Sequence, residues 1–188
     1  MTLTAQLVPT YAHMLKALAG WMEKAQAALS ADQARALLLA RLAPDMFPLS
    51  TQIRFACVQA HEATCRLRGT DLPDTLEALL DEGRKAGEHP GTIDDALARI
   101  HETIALLDSL SPHALDMAPD TPIAHRLSNG MIFDLTAEQY ARDWTLPQFY
   151  FHLMTAYAIL RAQGIALGKA DYIPHLLPHL RPDSLPAG

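Results

Sequence analysis

The sequence predicts an all-α protein, a bundle of four main helices with one small β excursion. Three observations carry this reading. Apolar residues recur at helical spacing over long stretches, capping signals stand where those stretches begin, and only one short segment alternates as a strand does. With 188 residues and no internal repeat, the chain suits a single domain over 1–188, with residues from about 168 onward as a surface tail.

Leu3 to Leu29 sets Leu7, Tyr11, Met14, Leu15, Leu18, Trp21, Met22 and Ala25 on one face, and Pro9 is read as the start of the regular helix. Ser30, with Gln33 at the capping-box position, opens a shorter helix through Arg41. Asp45 is the expected N-cap of the next helix, with Pro48 in its first turn. That helix runs to about Arg68 and stops at Gly69, burying Leu49, Ile53, Ala56, Cys57, Ala60, Thr64 and Leu67. A helical piece from Pro73 to about Lys85 follows, then a loop from Gly87 to Gly91. Thr92-Ile-Asp-Asp95 caps a helix over Ile93–Leu110, whose buried face is Ile93, Leu97, Ile100, Ile104 and Leu107.

The pattern changes after Pro112. Ile123–Leu127 and Met131–Leu135 flank Ser128-Asn129-Gly130, and both residues of an Asn-Gly turn accept positive φ. A hairpin standing outside the bundle is predicted. Thr136 with Gln139 opens a helical turn ending near Asp143. Thr145, with Gln148 as its capping-box partner, restarts the chain as the last helix, which ends at Gln163-Gly164. Pro174, Pro178, Pro182 and Pro186 keep the tail irregular.

Composition narrows the function classes. Hydrophobic residues make up 49% and charged residues 19%, a globular balance. A net charge of −6 without a Lys/Arg stripe opposes a phosphate backbone, so nucleic acid is not an expected partner. The start carries no basic and apolar leader, and no apolar run approaches the ~18 residues of a membrane span. Cys57 and Cys65 lie on one predicted helix with Cα atoms roughly 12 Å apart, too far for a disulfide. Reduced thiols suit a cytoplasmic protein.

Three sets of residues are candidates for chemistry. Cys57, His61 and Cys65 are ligand types spaced i, i+4, i+8, but the outer pair is two turns apart, and thiols on an apolar stripe serve more often as small core residues. His175 and His179 have i, i+4 spacing, yet Pro178 opposes a helix there, which favours a solvated tail. Gln148, His152 and Thr155 share one face of the last helix at i, i+4 and i+7. Phe149, Phe151 and Tyr157 border that face, so its polar groups need partners. A capping role for Gln148 and a backbone hydrogen bond for His152 are the plain alternative. His89, His113 and His125 fall in loops or the hairpin and receive no role. His13 and His101 fall on helices without a second ligand at useful spacing.

The run from His152 to Gly164, His-Leu-Met-Thr-Ala-Tyr-Ala-Ile-Leu-Arg-Ala-Gln-Gly, resembles the last helix of DinB/YfiT-like proteins. Leu146-Pro-Gln-Phe-Tyr-Phe-His152, Arg41-Leu-Ala-Pro-Asp-Met-Phe-Pro-Leu49 and Leu167-Gly-Lys-Ala-Asp-Tyr172 are similar to one branch of that superfamily, catalogued only as a domain of unknown function. The resemblance covers nearly the whole chain, with Leu72 to Thr92 looking like an insertion. It implies a DinB-like four-helix bundle of up-down-down-up topology that forms a homodimer.

Some members of that superfamily are metal-dependent enzymes acting with low-molecular-weight thiols. They hold a divalent cation with one histidine from the second helix and two from a His-x-x-x-His on the last. Here His152 matches the second histidine of that motif, Gln148 stands at the first, and the second-helix position falls near Gln52. His61 lies nine residues further on, roughly 13 Å along the helix. A carboxamide oxygen is a weak ligand where imidazole is a strong one. The resemblance therefore implies a degraded metal centre with His152 as its one metal ligand, holding zinc or nickel at low occupancy if at all. Gln52, Gln148, His152 and Thr155 would then serve a small-molecule-binding or non-catalytic module. The alternative is a metal-dependent transferase or hydrolase acting with a low-molecular-weight thiol, using the same residues and a fourth group. A further idea makes the hairpin over Ile123–Leu135 a partner-binding surface.

Overall fold

The computed structural model describes residues 2–181. Helix α1 spans Leu3–Ala28 and begins at Thr2, whose hydroxyl accepts from the Ala5 N–H. Pro9 therefore lies inside α1 and does not mark its start. The missing donor falls on the exposed side, at Ala5 and Pro9, where the freed carbonyl faces solvent. Helix α2 covers Ala31–Leu39, two residues short of Arg41, and the Ser30–Gln33 capping box forms with both reciprocal bonds.

Helix α3 runs Leu49–Arg68 from Pro48, so Asp45 is not its cap. A residue preceding proline is pushed out of the helical region, and Phe47 cannot carry a helix into Pro48. Gly69, at φ 64°, closes α3 in the left-handed conformation that a side chain would strain. Helix α4 is Asp74–Lys85, and α5 is Ile93–Asp108 behind the Thr92–Asp95 capping box.

Strands β1 (Pro122–Arg126) and β2 (Ile132–Thr136) pair antiparallel, with His125 opposite Phe133. Among the described residues no non-glycine has positive φ, so Asn129 does not take the expected turn; in the hairpin loop only Gly130 does, at 89°. The Leu127 N–H reaches the Met131 carbonyl across a three-residue loop, the length at which a glycine bulge replaces the two-residue turn. Nor does the hairpin stand clear of the bundle. Ile123 and His125 alternate inward on β1 and are buried.

Helix α6 (Ala137–Gln139), a π-helical turn over Tyr140–Thr145 and α7 (Leu146–Ala162) form one continuous helical path. Thr145 has helical φ and ψ and caps nothing. Pro147 explains the wide turn, because in a regular helix its ring would meet the Asp143 carbonyl. The Thr145 hydroxyl, 3.4 Å from the Gln59 carbonyl to which it donates, accepts from the Tyr11 hydroxyl at 2.8 Å and so ties α7 to α3 and α1.

Cross-links fix the helix directions. Gln26 meets Asp94, while Thr4 bonds Leu115 and Asp116 just past α5, so α1 and α5 are antiparallel. Tyr11 meets Phe149 and Trp21 meets Tyr157, so α1 and α7 are parallel. Gln52 meets His152 and Gln59 meets Thr145, so α3 and α7 are antiparallel. The order α1, α3, α5, α7 is thus up, down, down, up. Because α3 and α5 point the same way, the chain needs a return path between them, and α4 supplies it along α3. The stretch from Leu72 to Thr92 is that return. Arg54, 1% exposed, closes the junction by donating to Glu82 of α4 at 2.6 Å, and Glu82 also meets Arg99 of α5.

One continuous apolar cluster fills the space between the four long helices. Beyond Gly168, α8 (Lys169–Tyr172) docks on α1: the Trp21 indole N–H donates to the Asp171 carbonyl at 2.8 Å, and Lys24 pairs with the Asp171 carboxylate. A 3-10 turn over Pro174–His179 follows. Pro182 and Pro186 lie outside the described residues. Among the described residues no helix is long and apolar enough to cross a membrane.

Candidate functional site

Two of the four expected site residues meet. His152 of α7 and Gln52 of α3 are 8% and 2% exposed, and the imidazole Nδ1 lies 2.8 Å from the Gln52 Oε1. The amide group can be assigned, because Gln52 Nε2 donates to the Phe47 carbonyl at 3.1 Å. Its oxygen must then accept from Nδ1–H, which leaves the lone pair of the neutral ring on Nε2. Burial lowers the His152 pKa from 6.5 to about 4, so the ring is uncharged near neutrality. Phe55 and Phe151 pack edge-on against the ring, with centroids 5.2 and 5.3 Å away.

The other two do not join this pair. The Thr155 hydroxyl is spent on the Phe151 carbonyl, 2.6 Å away, one helical turn back. Gln148 is half-buried and forms no hydrogen bond with Gln52, His152 or Thr155. The donor set consequently does not fit a divalent cation. Of the matched positions only the His152 Nε2 offers a strong ligand, and Gln52 already uses its oxygen to orient the imidazole. Among the described residues, no group of three or more His, Cys, Asp and Glu could hold a metal ion.

Of the remaining sequence candidates, the two thiols are core residues and the histidines lie outside the core. Cys57 and Cys65 are unpaired and buried, and burial pushes the Cys57 thiol up to about 12. A thiol in that state is inert. His61 is half-buried on the opposite wall of the same helix from the His152 contact. His179 finds no partner histidine, whereas His175 stacks on His13 of α1 with ring centroids 5.0 Å apart. Spacing alone missed this pairing because 162 residues separate the two rings.

His125, given no role by its sequence position, is 2% exposed with neither ring nitrogen hydrogen-bonded. The nearest carboxylate, Glu62, is 3.7 Å away and already accepts from Arg66. Burial lowers the His125 pKa, so the ring is neutral near pH 7. Its face packs on Trp144 and Tyr140, with centroids 4.4 and 5.4 Å away. The Trp144 Nε1, the Tyr140 hydroxyl and the Gln59 Oε1 are buried without partners too. Each such group costs about 1–3 kcal/mol when nothing satisfies it. One signal was available: Ile123 and His125 stand two apart on a predicted strand, and residues so spaced share a face.

Known proteins resemble most of the chain. Among curated proteins none matches it. Its fold is similar to that of a DinB family member protein from Shewanella denitrificans, with 29% sequence identity, a TM-score of 0.71 and 91% of each chain covered. That likeness fits the directions of the four long helices and the DinB-like features of the last one. Residues 3–173 match the family described as a domain of unknown function, DUF1993, and the chain belongs to that family.

Proposed function

We propose that this protein is a non-catalytic DinB-like module in which the His152–Gln52 pair takes the place of a metal centre and holds a small hydrogen-bonding molecule at Nε2. The observation that carries this reading is the buried 2.8 Å bond between His152 and Gln52. It fixes the tautomer, removes Gln52 as a ligand and points one uncharged acceptor away from the amide. A hydroxyl or amide N–H fits such an acceptor. A dication would face a set with no negative charge and one imidazole.

The test is metal analysis of tag-free protein, followed by titration with zinc and nickel. Wild type is expected to carry neither in stoichiometric amount and to bind added metal weakly. The variant combining Gln52→His and Gln148→His is expected to bind zinc at least about a hundredfold more tightly. Stoichiometric metal in wild type that disappears in His152→Ala would overturn the reading.

We further infer that two copies pair through the face around this site. Phe47, Phe151 and Met154 are 49%, 56% and 40% exposed, and ring contacts through Phe55 and His152 join Phe47 to Phe151. Phe151 and Met154 stand one helical turn apart, and exposed apolar side chains grouped in this way suit an association site.

A further inference from the structure

A cleft of about 270 Å³ lies between the hairpin, α3 and α4, apart from the His152 pair. Its charge runs against that of the chain. Arg66, Arg84 and Arg126 line it, opposed by Glu62 and Glu77, in a protein of net charge −6. Arg66 and Glu62 neutralise each other at 2.7 Å, and burial keeps His125 neutral near pH 7. Arg84 and Arg126 remain. Both are exposed, and among the described residues neither has a hydrogen-bond or ion-pair partner. Glu77 alone offsets them, which leaves an excess of one positive charge.

The rest of the lining defines what an occupant must offer. Leu76 and Leu80 stand one turn apart on α4, and Val58 of α3 and Leu127 of the hairpin loop extend this apolar surface. His125 and Trp144 border the cleft with ring surface only, because their ring nitrogens are buried. The loop adds donors. Asn129 Oδ1 accepts from the Met131 N–H at 3.1 Å, so its amide nitrogen is free to donate, as is the Ser128 hydroxyl. An ammonium would find Glu77 but meet two uncompensated cations. A phosphate monoester brings close to two negative charges and would set the second against Glu62 and Glu77. A carboxylate brings one charge, matches the excess, and presents two oxygens to the fork of a guanidinium.

We propose that this cleft binds a small organic monocarboxylate with an apolar body, its head held by the free guanidinium groups of Arg84 and Arg126 and its body against the leucines. The volume lies at the small end of ligand pockets. Because both arginines are solvated, each ion pair is weak and screened by salt. Binding is therefore of millimolar strength, and the choice of charge type is its signature. The cleft shares no residue with the His152 pair, so the two proposals stand or fall separately.

The test uses the full chain at low salt and three probes with one aromatic body: benzoate, benzamide and benzylamine. Amide NMR shifts of the cleft residues are expected to give benzoate a millimolar Kd, at least about fivefold below those of the other two. Acetate keeps the charge without the body and is expected to bind at least about tenfold more weakly than benzoate. Combining Arg84→Gln with Arg126→Gln, both at exposed positions, is expected to abolish the preference for benzoate. Glu77→Gln is expected to lower the benzoate Kd about twofold. No benzoate-induced shift in the cleft at millimolar concentration, equal Kd values for the three probes, or an unchanged benzoate Kd in the double arginine variant would overturn the proposal.

Discussion

At His152, burial and hydrogen bonding act on the proton together. The ring gives up its ordinary pKa of 6.5 for about 4, while Gln52 holds the hydrogen on Nδ1. Above pH ~6.5 the ring is neutral in the folded and unfolded chains alike, and the folded state keeps its full stability. As pH falls from there, the unfolded chain takes up the proton first. Stability declines until about pH 4, by a total on the order of 3 kcal/mol from this residue. Urea unfolding at pH 7.5 and 4.5 is expected to show a smaller pH-dependent loss in His152→Gln than in wild type. His125 is shifted in the same direction, so the difference between the two proteins, not the wild-type slope, reports His152. Nitrogen NMR should find the Nδ1-protonated tautomer with a pKa near 4. A value above about 6 would mean that the ring is not buried as described. That Gln52 and His152 would meet was legible from the family resemblance. That Thr155 would turn to its own helix was not, since a threonine hydroxyl chooses between a backbone carbonyl and a neighbour on local geometry alone.

Among the elements, α4 shows most directly how packing reaches the site. Its Gly83 is buried against α3, and a Cβ there would lie 2.6 Å from Phe55 Cε1 and 3.3 Å from Arg54 Cβ. Helix propensity favours alanine by ~1 kcal/mol, whereas overpacking costs about 1–3 kcal/mol. Contact at that distance decides the sign. Gly83→Ala is expected to lower stability by about 1 kcal/mol and to shift the His152 ring resonances, because Phe55 packs against that imidazole. Stability at or above wild type in a denaturation curve would show that α4 can slide aside. Starts and stops were legible wherever a local rule operates, as at Ser30, Thr92, Thr136 and Gly69. They were misread where proline acts at a distance. Pro48 delays α3, Pro9 is tolerated on a solvent-facing turn, and Pro147 is absorbed by a wider one.

Across the whole molecule, the up-down-down-up order has two consequences. Parallel α3 and α5 require α4 as a return, and α5 must cross to α7 through the hairpin segment, which carries His125 into the interior. The hairpin is therefore part of the packed structure, and removing Ile123–Leu135 would strip cover from Trp144 and Tyr140. At the same scale lies association. Light scattering is expected to give the mass of two chains for wild type and of one for Phe151→Glu, with the dissociation constant raised at least about a hundredfold. A monomeric wild type at micromolar concentration would overturn the pairing face.

The chain alone determined its four long helices, most of their caps, the hairpin and the membership of its last helix in a DinB-like pattern. These depend on neighbours a few residues apart, where periodicity and capping act. Only the tertiary structure decided that Gln52 orients His152, that His13 stacks on His175, and that His125, Trp144 and Gln59 bury their polar atoms around one cleft. Those residues come from distant parts of the sequence. Whether a buried polar atom finds a partner is settled by how helices and strands close on one another, and no local pattern encodes that.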